Sequence, residues 1–227
     1  MSVSVPQRAT APAPASTSSP TSEFRPIKTF LFDMGNVLVK FCHDRMCRQI
    51  GELCGHEGPK VKQLLLDSGV QWDFERGKVT EAVFLEQMDE ILGSPLDRSK
   101  IYAAGSDIFH VDQEMLPVLE FLKGKGYRLV LFSNVGETHY RWIGERFDFL
   151  KWFDDTILSY KEGGVKPEPP MYEAALTRIQ CEPGECFYTD DIAAYVARGR
   201  EYGFQAEVFT TAASLREQLA LRGIEIP

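Results

Sequence analysis

The chain has no apolar run of the about 18 to 20 residues that a membrane-spanning helix needs, so no membrane partner is expected. It is also short of basic charge: 25 Lys and Arg stand against 33 Asp and Glu, a net charge of −8. That balance argues against nucleic acid as a partner, because phosphate backbones call for basic patches, but it leaves room for a small phosphorylated ligand in a local positive pocket. Cysteine offers no disulfide framework. Cys42, Cys47, Cys54, Cys181 and Cys186 are odd in number and fit no zinc spacing. No secretory apolar segment precedes the first strand, so we expect reduced thiols and a cytoplasmic protein. His43, His56, His110 and His139 are scattered and form no pair at metal-ligand spacing. Residues 1–25 lack large apolar side chains almost entirely. Their Ala, Pro, Ser and Thr cannot bury enough surface to offset the entropy of ordering, which predicts a disordered tail. Arg8 is the one basic residue of that tail before Arg25, too few for a transit peptide.

What is present fits one α/β domain carrying a smaller insertion: 227 residues, 44% of them hydrophobic. Order begins at Ile27. The run "IKTFLFD" is apolar without strict alternation, the pattern of a strand buried on both faces of a parallel sheet. "YRLVLFSN", "CFYTDD" and "QAEVFT" repeat it, and "DTILS" is a weaker fifth. Helical patterns lie between them, at 113–123, 137–147, 170–179, 193–201 and 213–221. Alternating strands and helices predict a Rossmann-like three-layer parallel sheet with helices on both faces. Residues 42–110 break the rhythm and read as helical throughout, with Val83, Phe84, Met88, Ile91 and Leu92 on roughly one face. We therefore expect a core of residues 26–41 and 111–227, and an inserted α-helical cap over residues 42–110. A monomer or a homodimer is compatible with this size.

Ligands of open parallel sheets bind outside the carboxyl ends of the strands. Here those ends carry Asp33, then Ser133 and Asn134, then Asp190 and Asp191, with Lys166 in a Gly-Gly-Val-Lys-Pro turn between the last two. Clustered carboxylates repel one another unless a cation sits between them. Oxygen ligands that also meet a phosphate suit Mg²⁺. Such an ion lets one carboxylate approach phosphorus as a nucleophile, while Lys166, Ser133 and backbone N–H groups stabilise the phosphate oxygens. Read as ordinary structure, the same residues would be a turn aspartate, a helix cap, a surface lysine and a solvated acidic turn.

In order and spacing, "FLFDMGNVL", "LVLFSN", "GGVKPEPPMYEAAL" and "CFYTDD" resemble the four motifs of the haloacid dehalogenase-like hydrolases, from about Ile27 to the C-terminus. The resemblance implies a Rossmann-like core, a helical cap, and an aspartyl-phosphate intermediate on Asp33. It implies Mg²⁺ on Asp33, the Gly35 backbone carbonyl, Asp190 and Asp191, with Ser133 and Lys166 stabilising phosphate. Asn134 joins Ser133 and Lys166 as an expected substrate contact.

Two positions depart from the pattern. Gly35 stands where phosphatases of the family carry a second Asp as general acid and base, help that is worth typically about 10² to 10⁴ in rate. Tyr195 stands where an Asn often follows the paired acids. Gly35 points to substrates with good leaving groups, such as sugar 1-phosphates, aryl phosphates or acyl phosphates, or to His43 or Asp44 as a substitute acid. The first expectation is thus a Mg²⁺-dependent phosphohydrolase of small phosphorylated metabolites. A 2-haloacid dehalogenase, drawing on a cap arginine among Arg45, Arg48 and Arg76, and a non-catalytic phospholigand-binding protein are the alternatives.

Overall fold

The computed structural model of the protein describes residues 24–93 and 95–227. The chain enters through β1 (Thr29–Phe32) and a short β2 (Val39–Lys40). Helices follow as α1 (His43–Cys54), α2 (Gly58–Lys62), α3 (Val70–Glu75), α4 (Glu81–Leu92) and α5 (Arg98–Ser106). A wider π-helical turn, Gln63–Asp67, extends α2. The chain returns along β3 (His110–Val111) and continues as α6 (Leu116–Gly124), β4 (Arg128–Ser133), α7 (Glu137–Arg146) and β5 (Asp155–Leu158). It closes with α8 (Ser159–Glu162), α9 (Pro169–Arg178), β6 (Cys186–Asp190), α10 (Ala193–Glu201), β7 (Gln205–Val208) and α11 (Ala212–Ala220).

Among the described residues, the main sheet runs in the order β5-β4-β1-β6-β7, with every neighbouring pair parallel. This is a doubly wound arrangement whose strand order reverses at β1 and β6. The strands are apolar on both faces because both faces are covered. Phe30 and Phe32 of β1 point to one side, where Val118, Leu119 and Leu122 of α6 and Leu215 and Leu219 of α11 bury them. Leu31 points to the other, against Met171, Tyr172 and Ala175 of α9 and Val196 of α10. The alternation is the period of two that a pleated strand imposes.

The helices between β2 and β3 have a core of their own, built from Met46, Ile50, Val61, Leu65, Phe84, Met88 and Leu92. The rings of Phe74 and Phe84 stack at its centre, centroids 4.4 Å apart. The apolar stripe of α4 is narrower than its sequence suggests: Phe84, Met88 and Leu92, four residues apart, are buried, whereas Val83 is 40% exposed. Where the helical segment leaves and rejoins the core, β2 and β3 pair antiparallel, Val39 with Val111 and Lys40 with His110. This ladder was not read from the sequence.

The end of α3 rests directly on the sheet side of the molecule. Ser159 Oγ donates to the Glu75 carbonyl at 2.6 Å, and Arg76 pairs with Glu168 at 2.9 Å. Gly77 has φ +68°, and a Cβ on it would lie 2.2 Å from the Tyr160 carbonyl oxygen, so only glycine fits this contact. No helix among the described residues is long and apolar enough to cross a membrane. The tail expected over residues 1–25 lies outside the described residues up to residue 23. Phe24 and Arg25, placed in that tail, are instead held: the Arg222 guanidinium lies 4.1 Å from the Phe24 ring centroid, and Gln205 Nε2 donates to the Arg25 carbonyl at 2.8 Å.

Candidate active site

The strand order brings the ends of β4, β1 and β6 side by side. Asp33 follows β1 and is 7% exposed, Ser133 ends β4 at 1%, and Asp190 ends β6 fully buried. Lys166, 1% exposed, lies among them. Its Nζ donates to Asp33 Oδ1 at 2.8 Å, to the Phe132 carbonyl at 2.8 Å and to Asp190 Oδ2 at 2.5 Å. All three ammonium protons are thus engaged by the protein. Burial works against the charge on Lys166, but Asp190 and Asp33 together hold its pKa above the ordinary lysine value. Burial also pushes the Asp33 carboxyl up to about 7, with Lys166 opposing and Asp190 assisting.

Asn134, expected to touch substrate, lines the cavity, and its amide also clamps the backbone of Lys166: the Lys166 N–H donates to Asn134 Oδ1 at 2.7 Å, and Asn134 Nδ2 donates to the Lys166 carbonyl at 3.1 Å. The Tyr195 ring centroid lies 5.4 Å from Lys166 Nζ and screens it from solvent. The paired acids divide their work. Asp190 accepts from Tyr188 Oη at 2.6 Å and from the Ile192 N–H at 2.9 Å, besides Lys166, and takes no part in lining the cavity. Asp191 does line it, oriented by Asn36 Nδ2 at 3.0 Å. Asn36 holds φ +55° at the tight turn after Asp33, a conformation that Asn tolerates better than most residues.

Oxygen atoms of Asp33, Asp190 and Asp191 lie within 4.8 Å of one another. With all three ionised, the carboxylates outnumber the one ammonium by two charges, a surplus in keeping with the raised pKa of Asp33. An oxygen-only donor set with that surplus fits a hard divalent cation. Such an ion would be the natural completion of the site.

The cavity above these groups measures about 570 Å³. Asp33, Gly35, Ser133, Asn134, Lys166 and Asp191 line its floor. Its upper wall carries His43, with a pKa that burial and then the Lys62 charge hold below the ordinary histidine value. Asp44, the other substitute acid considered from sequence, is exposed, pairs with Lys62 at 2.9 Å and does not line the cavity. Of the cap arginines, Arg76 reaches the cavity but is tied to Glu168, and Arg45 is paired with Asp107 at 2.6 Å. Sequence reasoning missed Glu75. It is 8% exposed and lines the cavity, with Gln71 Nε2 donating to Oε1 at 3.2 Å. Burial pushes its carboxyl up to about 7, against Gln71 and the Arg76 charge. On a helix of mixed polarity, nothing marks this glutamate as facing inward.

Comparison with known proteins shows the family and the fold. A family model described as haloacid dehalogenase-like hydrolase matches residues 27–201. D-ribitol-5-phosphate phosphatase of Bacteroides thetaiotaomicron is 24% identical over 202 residues, covering 86% of this chain and 98% of that one. Bifunctional epoxide hydrolase 2 of Mus musculus is 26% identical over 174 residues, and the match spans 67% of this chain but 30% of that protein's length. Among solved structures, a HAD family enzyme from Bacteroides thetaiotaomicron in complex with magnesium and inorganic phosphate superposes with a TM-score of 0.73, at 25% identity over 81% of this chain and 94% of that one.

Proposed function

The chain belongs to the haloacid dehalogenase-like hydrolases, and from that premise we propose that it is a Mg²⁺-dependent phosphatase of small phosphorylated metabolites, working through an aspartyl phosphate on Asp33. The observation that carries the reading is the charge count of the site: Asp33, Asp190 and Asp191 against Lys166, at the floor of a cavity of metabolite size. A dehalogenase would have no use for the surplus of carboxylates. The relatives named above support phosphate ester chemistry.

Asp33 Oδ2, the carboxylate oxygen that Lys166 does not bond, attacks phosphorus. The bond from phosphorus to the organic oxygen breaks, and its electron pair leaves with that oxygen, which takes a proton from solvent water, since Gly35 offers none. Water then attacks the same phosphorus and returns a proton to solvent, the Asp33–phosphorus bond breaks with its electron pair going to the Asp33 oxygen, and inorganic phosphate departs from a restored carboxylate. Ser133 donates a hydrogen bond to a phosphate oxygen. Lys166 fixes the orientation of Asp33 and supplies positive charge, and Asn134 acts as a positioning residue by holding the Lys166 backbone. Mg²⁺, held by Asp33, Asp191, Asp190 and the Gly35 carbonyl, would cancel the surplus negative charge and so admit a phosphate dianion. The helical segment over residues 42–110 acts as the cap that selects the organic part of the substrate.

The test is hydrolysis of p-nitrophenyl phosphate, with and without Mg²⁺, by this protein and by its Asp33→Asn variant. Turnover that needs both the ion and Asp33 is expected. Turnover that persists in Asp33→Asn, or that ignores Mg²⁺, overturns the reading.

A further inference from the structure

Opposite the phosphate end, the cavity is walled by rings. Phe41, His43, Trp72, Phe109 and His139 all line it. They form a continuous series: Trp72 to His43 at 6.1 Å between centroids, His43 to Phe41 at 5.0 Å, Phe41 to Phe109 at 6.2 Å and Phe109 to His139 at 5.2 Å. The five come from four separate stretches of chain: Phe41 and His43 from the segment after β2 and the start of α1, Trp72 from α3, Phe109 from the segment before β3, and His139 from α7. Convergence of that kind is not the by-product of one amphipathic helix. The two imidazoles do not make the wall ionic. Burial holds the His139 ring down to about 4, and His43 also lies below its ordinary value, so both are neutral near pH 7. His139 Nε2 is already engaged with the Gly105 carbonyl at 3.1 Å. Val39, Val135, Val165 and Ile192 add apolar surface lower down.

Polar groups on this side are few. Arg76 is committed to Glu168. Glu75 stands as a single buried carboxyl beside the rings, and Trp72, 38% exposed, sits at the rim. A polyol or sugar carries a hydroxyl on nearly every carbon, and each one buried without a partner lowers affinity by roughly tenfold. A flat ring, by contrast, gains edge and face contacts from such a wall.

Resting on the phosphatase reading of the floor, we propose that the organic part of the substrate is a flat aromatic group carrying at most one polar substituent, which Glu75 meets, rather than a polyol chain. Gly35 belongs to the same design. A Cβ there would lie 3.0 Å from Phe41 Cε1, so the absence of a side chain lets the ring wall come down to the reacting carboxylate.

The experiment is isothermal titration of the full chain, in Mg²⁺, with two phosphonates that cannot be hydrolysed: 2-naphthylmethylphosphonate and a tetrahydroxypentylphosphonate. The naphthyl compound should bind at least about tenfold more tightly, and Trp72→Ala should remove most of that preference, as loss of one ring contact implies. Trp72 is partly exposed, so the variant is expected to fold, which a circular dichroism spectrum checks. Equal or tighter binding of the polyol compound overturns the proposal, as does a preference unchanged by Trp72→Ala. The phosphatase reading fails separately: a protein that prefers the naphthyl ligand but hydrolyses no monoester loses that reading and keeps the aromatic group only as a ligand of the ring wall.

Discussion

The ring of Phe41 occupies the space into which a side chain on residue 35 would grow: a Cβ on Gly35 would stand 3.0 Å from Phe41 Cε1 and 3.9 Å from Asp33 Oδ2. Glycine at 35 and an aromatic ring at 41 are therefore one feature. A general acid introduced at 35 must displace the ring, and Phe41 is held by its contacts with His43 and Phe109.

Gly35→Asp should therefore destabilise the protein by about 1–3 kcal/mol through overpacking. Combined with Phe41→Ala, the loss should be smaller than the sum of the single losses by about 0.5–3 kcal/mol. Urea unfolding of the four proteins closes the cycle. Strict additivity would mean that the ring and the position do not compete.

Lys166→Met should cost about 3–5 kcal/mol of stability, because it strands Asp33 and Asp190 in the interior with no cation. Adding Mg²⁺ should recover part of the loss. A Lys166→Met protein as stable as the parent in urea would show that the lysine does not neutralise the site.

Magnesium should raise the melting temperature, since an ion that binds the folded chain alone stabilises it by about 2.7 kcal/mol at a hundred times its Kd. Asp191→Asn should shrink that response, because Asp191 is the member of the acid pair that faces the cavity. An identical shift in both proteins would remove Asp191 from the ion's ligands.

Glu75 gives a pH signature. Its carboxyl titrates near 4.5 when unfolded and is pushed up to about 7 by burial in the fold. Between those values the folded chain holds a proton that the unfolded chain has lost, so this group makes stability fall as pH rises. Glu75→Gln should remove that fall, and its advantage over the parent should grow from pH 4.5 to reach about 3 kcal/mol above pH 7, at about 1.4 kcal/mol per pH unit. Parallel stability curves for the two proteins would show that Glu75 is not buried as a carboxyl.

Much of this was legible in the sequence. Strands buried on both faces announce themselves as apolar runs, and β1, β4, β5, β6 and β7 all fall where such runs lie. Asp33, Ser133 and the acid pair could be named because strand ends in a parallel sheet converge, and Lys166 because its Gly-Gly-Val-Lys-Pro turn lies between two of them. Which acid faces the cavity depends on the turn after β6 and on the bond from Asn36, and neither leaves a mark in composition. The β2–β3 ladder is two residues long on each strand, too short for any periodicity. Glu75 and Trp72 face the cavity because the end of α3 docks through Gly77 and Ser159, a tertiary contact that no local pattern encodes. The five rings were invisible as a group because they come from distant stretches of chain.

The β2–β3 ladder has a mechanical consequence. Val39, its inner residue, also donates its N–H to the Met34 carbonyl at 2.9 Å and accepts from the Asn36 N–H at 2.7 Å. The strap that carries the helical segment is thus the closing bond of the turn that presents Asp33. Any change in the angle of that segment about the strap would reach the turn through these same bonds, so the seating of the helical segment and the position of the carboxylate below are not independent of one another.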